Sequence, residues 1–253
     1  MMTFDVAAAS YDQFMGRYSR PLAPLLADFA GIKAGQRVID VGCGTGALTA
    51  ELVGRVGAQS VAAIDPSESF VKAMLARFSG VDVQLASAER LPFASEQFDA
   101  ALAQLVVHFM TDPVAGIAEM GRVTGAGGVV AACVWDHAGG HGPLAVFWDA
   151  ARELQPGVPD ESNLPGVREG HLAELFETAG LTGIKSTALS LTLEHPTFDE
   201  WWQPFTHRVG PAGVFVASLR PAAQEQLRAR CLDRLGQGPF RITALAWAAR
   251  GRA

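Results

Sequence analysis

Three glycines at alternate positions, Gly42, Gly44 and Gly46, are the feature of this sequence best suited to binding a ligand. They follow an apolar run that contains Asp40, and a segment with helical spacing begins at Ala47. Because glycine lacks a Cβ, such a turn lets the backbone approach a ligand closely, and the N–H groups at the start of the helix can meet its polar groups. The arrangement predicts a site for a small cofactor with a nucleoside end.

An acidic residue, Asp65, ends the next apolar run, about 20 residues after the glycines. A carboxylate at this strand end can accept hydrogen bonds from both hydroxyls of a ribose. The glycine spacing is G-x-G-x-G, whereas a dinucleotide fingerprint is G-x-G-x-x-G, and Ala47 stands at the position of its last glycine. This spacing, together with the lack of a Tyr-x-x-x-Lys pair, makes a nicotinamide-dependent oxidoreductase the less favoured alternative.

Short apolar or β-branched runs alternate with amphipathic segments along the chain, which is the pattern of βαβ units. Strands are predicted at residues 37–41, 60–64, 81–85, 98–105, 128–135, 184–193 and 241–249. Helices are predicted at residues 46–56, 67–78, 113–123, 143–154 and 171–179. We therefore expect an α/β fold: a Rossmann-like, seven-stranded, mostly parallel sheet with helices on both faces and an antiparallel last strand.

The remaining segments are expected to cover this sheet within a single domain, residues 1–253. Apolar residues at helical spacing over residues 7–30 predict a helical N-terminal cap, residues 1–35, before a cofactor-binding core at 36–135. A stretch rich in glycine, proline and polar residues (136–170) and a helical one (198–240) are predicted to be insertions that form a substrate lid.

Charge and cysteine content limit the partners, location and metal sites that the sequence predicts. The formal net charge is −6 and there is no dense Lys/Arg run, so nucleic acid and anionic membrane are unexpected partners. No leader sequence or long apolar run is evident, and a cytoplasmic protein is the expectation. The three cysteines, Cys43, Cys133 and Cys231, lie far apart and predict neither a disulfide framework nor a metal site. The oligomeric state cannot be read from these features.

Five motifs occur in one order along residues 11–135, and together they are far more specific than any one of them. They are residues 38–46, 64–67, 87–93 with 98–100, 105–109, and 119–123 leading to 127–128. In these motifs the sequence resembles the class I S-adenosylmethionine (SAM)-dependent methyltransferases, within them the small-molecule branch that includes the ubiquinone and menaquinone biosynthesis enzymes. The resemblance implies methyl transfer from SAM to a small molecule, leaving S-adenosylhomocysteine; a SAM-binding protein without catalytic activity is an alternative.

The resemblance also implies a set of cofactor-binding residues. In the family, the two glycines nearest the strand pass the methionine part, the acid of the second strand holds the ribose, and the N-terminal cap closes over the methionine carboxylate. Carried over residue by residue, the set is Tyr11, Arg17, Tyr18, Asp40, Gly42, Cys43, Gly44, Asp65, Pro66, Ser67, Ser87, Ala88, Glu89, Gln104 and Leu105.

The sequence departs from the family pattern at two places. Ser87 stands where the family often has an aspartate that bonds the adenine amino group, so we expect a weaker contact there. Residues 122–128 lack the usual Lys-Pro pair before the two glycines, which we expect to affect only a structural turn.

For catalysis, a histidine after the fourth strand, His108, is the best candidate for a base, with a structural histidine as the alternative. His137 and His141 are further candidates or polar loop residues. An aromatic group, Trp201, Trp202 and Phe205, either lines the substrate site or packs in the core, and core packing is favoured. Cys43 is interpreted as a small residue filling the turn rather than a nucleophile.

Overall fold

The computed structural model describes residues 11–253, in which seven strands form one sheet. The strands are β1 Val38–Val41, β2 Val61–Asp65, β3 Asp82–Leu85, β4 Phe98–Gln104, β5 Thr124–Trp135, β6 Thr182–His195 and β7 Phe240–Arg252. Their order across the sheet is β3-β2-β1-β4-β5-β7-β6. Neighbours from β3 to β5 are parallel, while β7 runs antiparallel to both β5 and β6, as the sequence predicts for the last strand.

Nine α-helices accompany the sheet within residues 11–253. They are α1 Arg17–Ala30, α2 Ala47–Val56, α3 Glu68–Arg77, α4 Pro113–Val123, α5 Ala145–Leu154, α6 His171–Thr178, α7 Phe198–Trp202, α8 Gly210–Ser218 and α9 Pro221–Leu235. A π-helical turn, Asp12–Gly16, precedes α1, and 3₁₀ turns lie at Ala58–Ser60, Val107–Phe109 and Gln203–His207. None of these helices is long and apolar enough to cross a membrane.

Alternation along the strands builds a core on each face of the sheet, because successive side chains of a strand point in opposite directions. On β4 and β5, Leu102 and Ala131 face the side covered by α1, α2, α5 and the 198–240 insertion. Their neighbours Ala101 and Val130 face α4 and α6 on the other side. The Rossmann-like fold predicted from the sequence is therefore confirmed, including helices on both faces.

The N-terminal cap packs on the first of these faces. The predicted apolar stripe of α1 is buried at Leu22 and Leu26. The helix ends at Gly31, whose left-handed backbone (φ 76°) lets its N–H bond the carbonyls of Ala27 and Asp28. Residues 7–10 of the predicted cap helix lie outside the described residues.

The structural turn expected at residues 122–128 is not separate from the sheet, because residues 124–128 form the start of β5. β5 begins at Thr124, which pairs with Phe98, and the register shifts before Ala100 pairs with Val129. Gly127, with a φ of 76°, donates its N–H to the carbonyl of Ala253, so the chain end bonds an irregular strand start.

Candidate active site

The glycine turn after β1 is tied to the neighbouring strand. The N–H groups of Gly42 and Cys43 both donate to the carbonyl of Ile64, at 2.8 and 2.9 Å. Two of the glycines are needed for packing: a Cβ on Gly42 would lie 2.6 Å from the Val106 side chain, and one on Gly46 would lie 2.5 Å from the sulfur of Met74. Larger residues at these two positions would displace their neighbours.

Gly44 is the glycine of the turn that faces open space. Its φ is +52°, a region that favours glycine, and a Cβ built there meets nothing within 4 Å. Its N–H donates to Oδ2 of Asp65 at 2.9 Å. The backbone at Gly44 therefore offers a close approach to a ligand beside a carboxylate.

Asp65 is held at the carboxyl end of β2 by two backbone donors. Its Oδ1 accepts the N–H of Ser67 at 2.8 Å, and its Oδ2 accepts that of Gly44. Burial raises the pKa of this carboxyl, and these two N–H bonds lower it. A carboxylate oxygen can accept two hydrogen bonds, so each oxygen retains capacity for one ribose hydroxyl. The predicted ribose role fits this geometry and stays a prediction.

Asp40 supports the turn from inside the sheet. It is 1% exposed and accepts the hydroxyl of Thr49, from the first turn of α2, at 2.6 Å. Burial raises the pKa of Asp40 to about 7, the Thr49 hydrogen bond opposes this rise, and the charge of Asp65 adds to it. The buried carboxyl therefore costs stability when it ionises.

We expect Asp40→Asn to remove a pH dependence of stability. The folded pKa lies above the unfolded value near 3.9, so the wild type loses stability as pH rises from about 4 to about 7, by up to about 4 kcal/mol. Asparagine can still accept the Thr49 hydroxyl but does not ionise. Urea unfolding between pH 5 and pH 8 should show a smaller decline for the variant; parallel curves for the two proteins would contradict the assignment.

The start of the N-terminal cap is attached to the glycine turn. Asp12 accepts the hydroxyl of Thr45 at 2.5 Å, and Arg77 donates to the Thr45 carbonyl at 3.1 Å while lying 3.8 Å from Asp12. Tyr11 packs edge-on against Phe70 of α3, with ring centroids 5.4 Å apart. The cap thus reaches the edge of the predicted cofactor site through Tyr11.

Two other predicted cap residues are engaged elsewhere. The Tyr18 hydroxyl lies 2.9 Å from Nε2 of His195 on β6, and an Arg17 guanidinium nitrogen lies 3.3 Å from Nδ1 of the same ring. Arg17 also donates to the carbonyl of Glu200. Both side chains join α1 to β6 and α7 and so help to position the cap, and their predicted contact with the methionine carboxylate stays a prediction.

The residues predicted for the adenine side lie around the ends of β2 and β3. Pro66 and Ser87 are exposed, Ala88 is buried, and Ser67 precedes α3 with its hydroxyl 2.9 Å from that of Ser69.

Glu89, also placed on the adenine side, serves the local fold. One oxygen of its carboxylate accepts the N–H groups of Thr111 and Asp112, at 2.8 and 3.3 Å, just before α4. This carboxylate is therefore assigned to holding the loop rather than to the adenine.

Leu105 follows β4 in an unusual backbone conformation. Its φ is +61°, which costs energy for a residue with a Cβ, and its N–H donates to the carbonyl of Cys133. The preceding Gln104 donates its side-chain amide to the carbonyl of Ser19 at 2.9 Å. Such strain clusters at functional sites, and the contact of these two residues with the cofactor stays a prediction.

A cavity opens at the carboxyl ends of β4 and β5, and β4 is the neighbour of β1 in the sheet. Its lining is mostly apolar. The lining residues are Tyr11, Phe14, Met15, Leu105, His108, Phe109, Trp135, His137, Leu144, Glu161, Val209, Gly210 and Pro211. The cap, the loop after β4 and both insertions all contribute, and Tyr11 connects the cavity to the cofactor side.

His108, the predicted base, lies in this cavity with its ring 5% exposed. Burial, and then the neighbouring His137, lower its pKa well below the usual value, so its imidazole is neutral at neutral pH. Its Nδ1 has no hydrogen-bond partner within residues 11–253. The geometry therefore allows His108 to contact an acceptor, and its catalytic role stays a prediction.

Of the other histidine and cysteine candidates, one lines the cavity and two do not. His137 lines the cavity, whereas the side chain of His141 is 67% exposed and lies 2.6 Å from Asp136. Burial raises the pKa of the Cys43 thiol well above its ordinary value, and this matches its interpretation as a small packed residue.

The aromatic group at residues 201–205 belongs to the core. Phe205 stacks on Phe147 with ring centroids 4.5 Å apart. The ring centroids of Trp201 and Trp202 lie 4.8 and 5.7 Å from that of Phe205. Phe14, which does line the cavity, packs edge-on against Phe205 at 5.1 Å. The group thus supports the cavity wall from behind, as the favoured interpretation predicts.

Sequence reasoning missed Glu161 and Asp12. Glu161 is buried in the loop of the first insertion and accepts the Trp148 indole N–H at 3.2 Å. Neither acid belongs to a recognisable motif, and only the folding of the cap and insertion over the sheet brings them to the site.

Comparison with known proteins identifies the family. A model of the methyltransferase domain matches residues 39–132. An uncharacterized protein of Mycobacterium tuberculosis is 30% identical over 198 residues, which cover 76% of this chain and 70% of the relative. The demethylmenaquinone methyltransferase of a Mycobacterium species (strain KMS) is 42% identical over 103 residues, 41% of this chain and 43% of that protein.

Solved structures agree with the fold. A Bacillus halodurans protein assigned as a methyltransferase superposes with a TM-score of 0.59 at 17% identity, over 91% of this chain and 97% of that one. The chain belongs to the class I SAM-dependent methyltransferases. It is an enzyme of this class, and SAM is the methyl donor that defines the class.

Proposed function

We propose that this protein transfers the methyl group of SAM to a small, largely apolar acceptor bound in the cavity at the ends of β4 and β5. The observation that carries the proposal is the juxtaposition of Gly44 and Asp65, which suit a nucleoside, with a cavity at the carboxyl ends of the neighbouring strands. An apolar lining with a few polar groups is typical of small-molecule sites. Walls made by the cap and both insertions favour a small acceptor over a macromolecule.

The proposed roles fall to residues in two neighbouring regions, the cofactor side and the cavity. When bound, SAM supplies an electrophilic methyl group on a sulfonium, so the protein has to hold a nucleophile in line and exclude water. Asp65 would bind the ribose hydroxyls, and the open backbone at Gly44 would lie along the cofactor. Apolar side chains such as Phe14 and Trp135 would exclude water from the acceptor, while His108 would contact its polar atom.

The net charge of the chain bears on its partners and cellular location. A net charge of −6 disfavours nucleic acid and anionic membranes as partners, and we place the enzyme in the cytoplasm. The acceptor atom, whether oxygen, nitrogen or carbon, is left open by these features.

Calorimetric titration with SAM, S-adenosylhomocysteine and NAD tests the cofactor, followed by mass spectrometry of a panel of phenols, thiols, amines and quinone precursors incubated with SAM. We expect the two sulfur ligands to bind, NAD not to bind, and one acceptor class to gain a methyl group. Failure of both sulfur ligands to bind would refute the proposal. Binding without any methylated product would favour the non-catalytic alternative, and binding of NAD would favour the oxidoreductase.

A further inference from the structure

Three potential metal ligands converge in the cavity from separate parts of the chain. His108 lies on the 3₁₀ turn after β4, His137 directly follows β5, and Glu161 comes from the 136–170 insertion. One ligand atom from each of these side chains lies within 4.8 Å of the other two. Adjacent parallel strands place the two histidines side by side, and the insertion folds back to add the carboxylate. We call these three residues the histidine–glutamate cluster.

The cluster contains buried nitrogen atoms with no protein partner. Nδ1 of His108 and Nε2 of His137 make no hydrogen bond to any part of the chain that the structure describes. The distance from Nε2 of His137 to Oε1 of Glu161 is 3.9 Å, too long for a hydrogen bond. Buried polar atoms nearly always have a hydrogen-bond partner, so two unsatisfied nitrogens at one point indicate a missing partner.

The carboxylate of the cluster is oriented by a neighbouring aromatic residue. The Trp148 indole N–H binds Oε2 of Glu161 at 3.2 Å and orients the carboxylate. An outer hydrogen bond of this kind is typical of metal-binding carboxylates.

We propose that the histidine–glutamate cluster binds a divalent zinc-like metal ion, with one coordination position open to the cavity. Two imidazoles and one carboxylate, completed by water or substrate, are the donor set of catalytic zinc sites. With bonds of about 2.0–2.2 Å, ligand atoms in a tetrahedral site lie about 3.4 Å apart, so side-chain rotations that close the present separations complete it. The cysteine spacing gave no sign of this site, because no cysteine takes part.

The role of the metal rests on the proposed function, whereas metal binding does not. An acceptor hydroxyl or thiol in the open position would have its pKa lowered, as metal-bound water does, and would release its proton to solvent. The acceptor atom would then form its bond to the methyl carbon as the carbon–sulfur bond of SAM breaks, with the electron pair staying on sulfur. His108 is then a metal ligand, and the acceptor is expected to be a hydroxyl or thiol compound.

Metal titration of the full chain tests the proposal. We expect chelator-treated protein to bind one equivalent of Zn²⁺, and Co²⁺ to give the intense visible absorption of a tetrahedral site. His108→Ala, His137→Ala and Glu161→Gln should each weaken Zn²⁺ binding by at least about 100-fold. His141→Ala is the matched control, because this exposed histidine of the same loop lies outside the cluster, and its affinity should equal that of the wild type.

Three results would overturn the proposal: no stoichiometric Zn²⁺ binding to the wild type, equal affinity in the three cluster variants, or loss of binding in His141→Ala. Thermal unfolding and near-UV circular dichroism identify variants that fail to fold. If an alanine variant fails to fold, the nearly isosteric Glu161→Gln still tests the proposal. SAM titration of the metal-free protein separates the two hypotheses. Zn²⁺ binding without SAM binding would sustain the metal site and refute the proposed function. Turnover of SAM by the metal-free protein would sustain the proposed function and refute the role of the metal in the reaction.

Discussion

Asp65→Ala is expected to weaken SAM binding by at least about 100-fold. The substitution removes the charged acceptor that we propose for two ribose hydroxyls, and hydrogen bonds to charged groups contribute about 1.5–3 kcal/mol each. It also leaves the N–H groups of Gly44 and Ser67 without their carboxylate, so the turn loses its support. Calorimetric titration with SAM and S-adenosylhomocysteine measures the effect.

Two further variants show whether this loss reflects the ribose contact. Asp65→Asn retains one acceptor oxygen and the side-chain volume, and we expect an intermediate affinity. Asp82→Asn is the control, since Asp82 is exposed on the adjacent strand β3 and its carboxylate contacts the Gln84 side chain. Wild-type affinity in Asp65→Ala, or an equal loss in Asp82→Asn, would show that Asp65 does not bind the cofactor.

Phe205→Ala is expected to destabilise the fold by about 3–5 kcal/mol, the usual cost of removing a buried phenylalanine. Phe205 is 1% exposed and contacts rings from the cap, α5 and α7, so the cavity left behind cannot be filled by one neighbour. Urea unfolding followed by tryptophan fluorescence gives the free energy of unfolding.

Val214→Ala on α8 serves as the control for Phe205→Ala. Val214 is 60% exposed, and its truncation should change the free energy of unfolding by no more than about 0.5 kcal/mol. A Phe205→Ala protein with wild-type stability would mean that the aromatic group does not hold the cap and the insertions together.

The cofactor side of the site was predictable from sequence because short-range rules determine it. A parallel strand, a glycine turn and a strand-end acid occur close together in the chain, so their spacing alone places Gly44 and Asp65 beside each other. The alternation of apolar residues likewise predicted all seven strands, with errors at their ends such as the early start of β5 at Thr124.

The acceptor side was not predictable, because its residues meet only through long-range packing. His137 and Glu161 are separated by two loops and helix α5, and nothing in their local sequence indicates that they share a cavity. Long-range packing also determines the contacts of Tyr18. Its motif resembles the family's cap, and its hydroxyl contacts His195, a residue 177 positions away whose location depends on the register of β6 and β7.

The attachment of Asp12 to Thr45 links the glycine turn to the wall of the cavity. One short segment, residues 11–15, both bonds the glycine turn and supplies three side chains to the cavity wall. We therefore expect occupancy of either region to change the freedom of this segment, and by thermodynamic reciprocity each ligand should then alter the affinity for the other. Donor and acceptor are expected to bind with coupled affinities.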